Sequence, residues 1–279
     1  MRDNTAMDAV SIEEFALRHE AALRLGVFST VFITVLLWEL MRPRRRLLLT
    51  RLQRWSNNLG LFVINTLVVR LLFPAAAVGF ALSAETLGYG LFNQIELPYW
   101  LEVLLAALLL DLAIYAQHLA MHHIPLLWRL HRVHHADLDF DLTTGSRFHT
   151  VEILVSMLIK WAVIFVLGPA LLAVLLFEIL LNGMAVFNHG NVSLPRRLDR
   201  PLRYLLVTPD MHRVHHSILR GETDSNFGFN LSLWDRLFRT YTDQPRDGHV
   251  GMTIGIPEFR DPAQVDRLPG MLQLPFLRA

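Results

Sequence analysis

The apolar positions of this chain come in unbroken runs rather than in the spaced stripes of a soluble helix. The first run covers about Leu25 to Met41, LGVFSTVFITVLLWELM. The second covers about Leu59 to Leu82 and is interrupted by Arg70 and Pro74. The third covers about Leu97 to Gln117 and holds Asp111. Crossing ~30 Å of hydrocarbon takes ~20 apolar residues at 1.5 Å each, so all three are long enough to span a bilayer. The fourth run, Val151 to Phe187, has 37 residues and is broken near its centre by Gly168 and Pro169. Each half is slightly short for a full crossing, so the break predicts a helical hairpin, spanning or re-entrant. The pattern predicts an all-α integral membrane protein with about four transmembrane helices or helical hairpins.

Composition strengthens this reading. Of 279 residues 53% are hydrophobic and 18% charged, and the mean hydropathy is +0.35. That is more apolar surface than a core of this size encloses, so part of it is expected to face lipid. The net charge of +1 hides an asymmetry, because Lys160 is the only lysine among 26 basic residues. The arginine bias fits a GC-rich coding genome and a bacterial inner membrane. The loop MRPRRRLLLTRLQR after the first run contains Arg42, Arg44, Arg45, Arg46, Arg51 and Arg54, which places it in the cytoplasm by the positive-inside rule. Passing out through the second run and back through the third returns residues 118–150 to the cytoplasm. The hairpin brings 188–279 to the same side, with Arg196, Arg197, Arg200, Arg203, Arg213 and Arg220. No cysteine is present, which excludes disulfides, thiolate-ligated haem and iron–sulfur clusters held by this chain alone. Residues 1–20 contain Asp3, Asp8, Glu13, Glu14 and Glu20, so no signal peptide is expected. A nucleic-acid partner is not expected either.

Chemistry enters with histidine. Eleven of the thirteen histidines fall between residues 118 and 216, and only His19 and His249 lie outside. QHLAMHHIP carries His118, His122 and His123; NHGN carries His189. The pentapeptide HRVHH occurs twice, at 131–135 and 212–216. Residues three and four apart share a helical face. His118 and His122 can therefore face one centre, and in each HRVHH the first histidine shares a face with the fourth and fifth residues. Asp111, Tyr115, His118 and His122 continue one face at i, i+4, i+7 and i+11. A carboxylate inside a membrane span is costly unless paired, and Asp111 is expected to hydrogen-bond a ligand histidine. So many imidazoles at the membrane edge pack poorly and repel when protonated, whereas metal ions require them neutral. Nine ligands exceed one tetrahedral zinc and suit two ions of higher coordination number. Imidazole serves iron, zinc, copper and nickel, so the spacing leaves the metal open.

HLAMH at 118–122 and the two HRVHH copies resemble the HxxxH, HxxHH and HxxHH boxes of the fatty acid hydroxylase or sterol desaturase superfamily. Asp111 and Tyr115 precede the first box as in its DxxxYxxHxxxH. PLLWRLHRVHHADLDFDLTTGSRFHTVE is similar to the segment joining the second box to an RxHxxE stretch, through Arg147, His149 and Glu152. TPDMHRVHHS followed by TDSNFGFNLSLWDRLFRTY is similar to the closing signature, with Asn226, Phe227, Gly228, Trp234 and Asp235 in place. The likeness covers about residues 100–245, and NHGN with TPDMHRVHH looks most like the bacterial branch and its alkylglycerol monooxygenase relatives. Leu119, His123, Ser193 and Arg239 depart from the pattern, and none of them is a box histidine.

The resemblance implies a membrane-bound non-haem di-iron oxygenase that hydroxylates or desaturates a lipid, such as a sterol, fatty acyl chain, ether lipid or carotenoid. It implies two iron ions and O2, held through His118, His122, His131, His134, His135, His189, His212, His215 and His216, with His123 and His149 as further candidates. Asp111 and Asp210, and with them Asp224 and Glu152, are candidates for orienting those histidines. The corresponding organisation is an N-terminal region 1–95 with two transmembrane segments, a catalytic domain 96–245 with a cytoplasmic histidine-rich helical cap, and a C-terminal cytoplasmic tail 246–279. No dinucleotide-binding glycine motif is seen, so electrons are expected from an external reductase, ferredoxin, cytochrome or pterin. A histidine-rich metal transporter, a hydrolytic zinc enzyme and a metal-stabilised non-catalytic membrane protein are the competing readings; HExxH is absent.

Overall fold

A computed structural model describes residues 11–73 and 76–278. Asp3, Asp8 and the break at Pro74 lie outside the described residues. The described chain is helical, with three isolated bridges and no strand. Its helices are α1 (Glu20–Met41), α2 (Arg51–Leu72), α3 (Ala76–Thr86), α4 (Tyr99–His123), α5 (Pro125–His135), α6 (Thr150–Leu167), α7 (Leu171–Asn188), α8 (Arg196–Leu202) and α9 (Pro209–His215), followed by short turns of helix. Among the described residues, five segments are long and apolar enough to cross a membrane: Glu20–Met41, Arg51–Asn93, Tyr99–His123, Thr150–Leu167 and Leu171–Asn188. They correspond to the three single runs and the two arms of the hairpin.

The hairpin turns at Gly168, the C-cap of α6, whose φ of 56° and ψ of 50° lie in the left-handed region. Glycine takes that conformation without a Cβ penalty. A Cβ there would also collide with Tyr89 O and Asn93 Nδ2 in the turn that precedes α4. The second apolar run departs from expectation. Its helix starts eight residues earlier, at Arg51 instead of Leu59, capped by Thr50 Oγ1, which accepts from Gln53 N at 3.3 Å. It ends at Phe73 (φ −127°), the residue before a proline, where the α conformation is disfavoured.

α1 packs along α7, α4 lies against α6 and α7, and α3 bridges α6 and α7. Leu25, Ile33 and Leu37 of α1, Leu67 and Leu71 of α2, Leu158 and Val166 of α6 and Leu180 of α7 point outward and are exposed. Water would penalise such a surface and hydrocarbon would not. Buried polar groups pin the helices to what lies beyond their ends. Glu39 of α1 accepts from Leu142 N (2.8 Å) and Asn191 N (2.7 Å) through one oxygen. Glu178 of α7 holds Lys160 of α6 (2.7 Å) and Arg24 of α1 (2.8 Å).

A cap of short helices sits at the end of this bundle. Twenty-five residues make α4 about 37 Å long at 1.5 Å each, more than the hydrocarbon thickness, so its last turns reach the cap. One core of the cap joins Leu61 of α2 and Val133, Ala136 and Leu138 to Ile256, Val265, Met271 and Leu274. Residues 246–278 thereby pack under α5: Arg132 Nη2 donates to Leu274 O (2.6 Å) and Leu277 O (2.7 Å).

Candidate metal centre

The eight box histidines and His189 are all buried and fall into two groups: His118, His122, His131, His135 and His215 in one, and His134, His189, His212 and His216 in the other. Within each group one ligand atom from every residue lies within 4.8 Å of all the others. The groups adjoin, because His134 and His135 are neighbours in sequence, as are His215 and His216.

Helix geometry explains the division. With 3.6 residues per turn, the first and fifth positions of HRVHH are about 40° apart around the axis, and the fourth lies about 100° from the fifth. In α5 the first and fifth (His131, His135) enter the five-histidine group and the fourth (His134) enters the other. Around α9 the first and fifth (His212, His216) enter the four-histidine group and the fourth (His215) crosses to the first. The arginines of the two copies anchor neighbouring backbone: Arg132 reaches the C-terminal carbonyls, and Arg213 Nη2 donates to Gly190 O and Val192 O at 3.1 Å each. Val133 and Val214 are fully buried. Local sequence supports both helices. Pro125 and Pro209 stand at their first turns, where the missing N–H costs nothing, and Thr208 Oγ1 accepts from Met211 N (3.4 Å).

Several imidazoles are oriented from behind. His131 Nδ1 donates to Glu152 Oε1 (2.6 Å) and His122 Nδ1 to Asp224 Oδ1 (3.3 Å). Carbonyls take the same role for His118 (Phe227 O, 2.8 Å), His215 (Ser225 O, 2.7 Å) and His189 (Ala185 O, 2.7 Å). Because these oxygens only accept, the proton sits on Nδ1 and the Nε2 lone pair faces inward. His118 Nε2 then stands 3.1 Å from His131 Nε2, and His122 Nε2 the same distance from His135 Nε2. In the other group His189 Nε2 is 3.2 Å from His134 Nε2 and 2.9 Å from His212 Nε2. In the first of these pairs both rings carry their protons on Nδ1, and two inward lone pairs repel at that range unless a cation lies against both. His215 Nε2 and both ring nitrogens of His216 are buried without a hydrogen-bond partner, and burial of such atoms is costly unless something accepts their lone pairs. A cis pair on a five- or six-coordinate ion with bonds of about 2.1 Å spans about 3.0 Å, against about 3.3 Å on tetrahedral zinc. The facing pairs, at 2.9–3.2 Å, lie across both values, so the spacing fits ligands shared by one ion in each group without choosing its coordination number.

Electrostatics favour the neutral ligands that a metal needs. Burial, and after it the neighbouring imidazoles, hold His134, His135, His212 and His216 well below the usual histidine range. Burial brings His189 down to about 4 and His215 to about 3. An unfolded histidine binds its proton near 6.5, so below that pH the unfolded chain holds more protons than the folded one. Metal-free protein is expected to keep its full stability above pH 6.5 and to lose it as the pH falls toward 4 and then 3. Thermal unfolding in detergent after chelation measures this, and a midpoint independent of pH across that interval would refute it.

The other sequence candidates are placed elsewhere. His123 is exposed with Nδ1 on Leu119 O (2.9 Å). His149 caps α6 by accepting from Val151 N (3.2 Å). Asp111 accepts from Asn230 Nδ2 (2.8 Å), Trp234 Nε1 (2.8 Å) and Leu231 N (3.3 Å) and touches no histidine. It fixes the segment whose Phe227 carbonyl holds His118. Asp210 pairs with Arg213 and with Arg44 (3.2 Å), and lies 3.7 Å from His249, not from a box histidine. Both were expected beside a ligand, and both instead secure backbone that carries one. Glu152 and Asp224 stand behind His131 and His122. Replacing Glu152 by glutamine removes the anion behind His131 and is expected to weaken metal affinity about 10- to 100-fold. A competitive chelator titration reads this directly, and unchanged affinity would contradict the role.

Three elements were not singled out by sequence. Arg54 is fully buried and donates to Asp141 (Nε, 2.8 Å), Asp137 (Nη2, 2.9 Å) and Thr144 (Nη2, 3.2 Å). Asp137, which burial would push up, is held below the usual carboxylate range by Arg54 and Arg147. Glu39 is the second. The third is Gly145, where a Cβ would lie 2.5 Å from Ala185 O, the carbonyl that orients His189. The acids at 137, 139 and 141, directly after the second box, were the available signal.

Comparison with known proteins agrees with this geometry. Residues 103–240 match the family model described as fatty acid hydroxylase. The alkylglycerol monooxygenase of Xenopus tropicalis is 30% identical over 62% of this chain and 38% of its own length. Its human counterpart is 28% identical over 61% of the chain and 37% of its length. Ornithine lipid hydroxylase OlsE of Rhizobium tropici is 28% identical over 56% of the chain and 46% of its length. The chain thus spans less than half the length of these curated relatives. No solved structure matches it significantly. The matched segment contains every box histidine, in the order and spacing that build the two groups, and the chain belongs to the fatty acid hydroxylase superfamily.

Proposed function

We propose that this protein is a membrane oxygenase that uses two iron ions, O2 and externally supplied electrons to hydroxylate or desaturate a lipid. The observation that carries the reading is the pair of adjoining groups of five and four buried imidazoles, whose facing Nε2 atoms stand 2.9–3.2 Å apart. Iron bound there would supply O2 activation for attack on an unreactive C–H bond. The chain's own part is arrangement. Glu152, Asp224 and the carbonyls of Phe227, Ser225 and Ala185 hold five rings by their Nδ1 protons. Phe148 stacks on His134 with 4.4 Å between centroids, and Phe140 lies 5.0 Å from His216; such rings keep the groups dry. Asp111 and Asp210 act as positioning residues through the segments they secure. Residues 96–245 are the catalytic unit in this reading, with 1–95 and 246–279 as its membrane and cytoplasmic flanks.

Relatives named for alkylglycerols and ornithine lipids support lipid as the substrate class. The exposed apolar side chains of α4, α6 and α7, among them Leu104, Leu158 and Leu180, would meet the bilayer that carries such a substrate. The arginines of 42–54 and 196–220 favour a cytoplasmic site in a bacterial inner membrane. Two electrons per turnover would come from a reductase, ferredoxin, cytochrome or pterin. A transporter places its ion near the bilayer midplane on broken helices; here the ligands lie on the last turns of α4 and beyond the ends of the spans.

The test is anaerobic iron reconstitution of the full chain in detergent, with metal content and O2 uptake measured in the presence of membrane lipids. Two irons per chain and reductant-linked O2 consumption, with a lipid that gains one oxygen or loses two hydrogens, are expected. Two tightly held zinc ions, and inertness with every reductant after iron loading, would overturn the reading. Metal flux in proteoliposomes without O2 uptake would favour the transporter.

A further inference from the structure

A second concentration of cations plays no part in the proposed oxygenation. α8 and the segment after the third histidine box wall a cavity of about 670 Å³ lined by Arg196, Arg197, Arg200, Arg203 and Arg236, with only Asp199 and Asp243 as acids. Both acids are spent on one arginine: Arg203 pairs with Asp199 at 2.6 Å and with Asp243 at 3.2 Å. Arg236 lies over the rings of Tyr204 (4.5 Å) and Tyr241 (4.0 Å). Among the described residues, Arg196, Arg197 and Arg200 have no carboxylate within ion-pair distance, and all three are exposed. Unneutralised guanidinium forks around one cavity match a phosphate, which they bind through paired N–H donors.

Exposed apolar side chains stand next to these lining residues in sequence. Leu198, Leu202, Leu205, Leu233, Leu237 and Phe238 are 37–62% exposed although none lies in a candidate span. Their two segments run side by side, through Val207 N on Asn230 O and Ser232 N on Leu205 O, both 3.0 Å. Seven residues separate the end of α7 from the start of α8, so α8 stays within a short loop of the bilayer surface. An acidic soluble partner would satisfy the arginines and leave the leucines in water. An amphiphile with an anionic head satisfies both, as surface-lying basic and apolar segments do on membranes.

We propose that this cavity and the exposed leucines beside its lining residues bind an anionic phospholipid, with the phosphate held by Arg196, Arg197 and Arg200 and the acyl chains along Leu198, Leu202 and Leu205. The inference stands apart from the oxygenase reading, because it concerns binding and uses no metal ligand. It is tested with the full chain in an uncharged detergent, by native mass spectrometry and thermal unfolding, with phosphatidylglycerol, phosphatidylcholine and inorganic phosphate as separate probes. Phosphatidylglycerol is expected to bind about 10-fold or more tighter than phosphatidylcholine and to weaken with salt, while phosphate alone binds feebly. Arg196→Gln, Arg197→Gln and Arg200→Gln together should cost on the order of 100-fold, about fivefold for each arginine near an anionic headgroup. Equal binding of the two lipids, salt-independent binding, or an unchanged triple variant would overturn the proposal. Phosphate binding as tight as phosphatidylglycerol would assign the cavity to a free anion instead of a lipid. If the triple variant does not fold, the lipid comparison and the salt series on the unaltered chain still decide the question.

Discussion

Changing His134 or His215 to alanine is expected to lower lipid oxygenation by more than about 100-fold in each case, since losing a ligand should exceed the 10- to 100-fold cost of losing a partner behind one. The two variants should still reach the membrane, because neither residue belongs to a candidate span. Their metal contents should differ. His134 is one of four imidazoles in its group, and His215 one of five in the other. His134→Ala leaves three ligands and should lose close to one ion per chain. His215→Ala leaves four, enough to keep an ion of altered geometry, so more metal should remain while activity is lost. Iron analysis beside the activity assay separates the two effects. Full activity in either variant would refute a site shared between the groups.

Arg54→Leu should be the most destabilising single change among the arginines near the first loop. Its guanidinium is the common partner of Asp137 and Asp141, and all three side chains are completely buried. Removing one member of such a network leaves buried charge uncompensated, which costs about 3–5 kcal/mol. Arg54→Lys should recover only part of this, because a point charge cannot meet two carboxylates and Thr144 as a planar fork does. Arg46 is exposed, and Arg46→Gln should stay within about 0.5 kcal/mol. Denaturant unfolding of the detergent-solubilised chain measures all three. Loss of metal is expected to accompany Arg54→Leu, since the same acids lead out of the second histidine box. Equal stability of Arg54→Leu and Arg46→Gln would show that the buried network contributes nothing.

Arg54 also marks where reading along the chain falls short. Hydropathy treats RLQRWSNN as a loop because its residues are polar, and α2 runs through it. The polar groups are satisfied by residues far away in sequence: Arg54 by Asp137 and Asp141, and Asn58 by Thr143 at 3.0 Å. The same arginine counts toward the positive-inside charge of its loop, yet it is buried. Asp111 shows the complementary case. Its cost inside a span predicted a partner, correctly, but the partners are Asn230, Leu231 and Trp234, more than a hundred residues on, and no local pattern could choose them over a histidine. In the hairpin the outcome was legible, because a glycine before a proline stops a helix whatever surrounds it.

By itself the sequence determined the helical membrane architecture, the hairpin, and the list of nine histidines. Each of these rests on local physics: run length against bilayer thickness, backbone freedom at a glycine, and the angular spacing of side chains on a helix. Only the tertiary structure decided how the nine are shared. Both copies of HRVHH present the same face with the same 40° and 100° offsets, and nothing within five residues says which group each imidazole joins. That depends on how α5 and α9 are docked, α5 by Arg132 on the C-terminal carbonyls and α9 by Arg213 on the carbonyls around His189. So docked, they place the fourth histidine of each copy among the first and fifth of the other. The repeat thereby contributes to two adjoining groups of histidines instead of one, because long-range contacts set the relative rotation of two helices that local sequence makes alike.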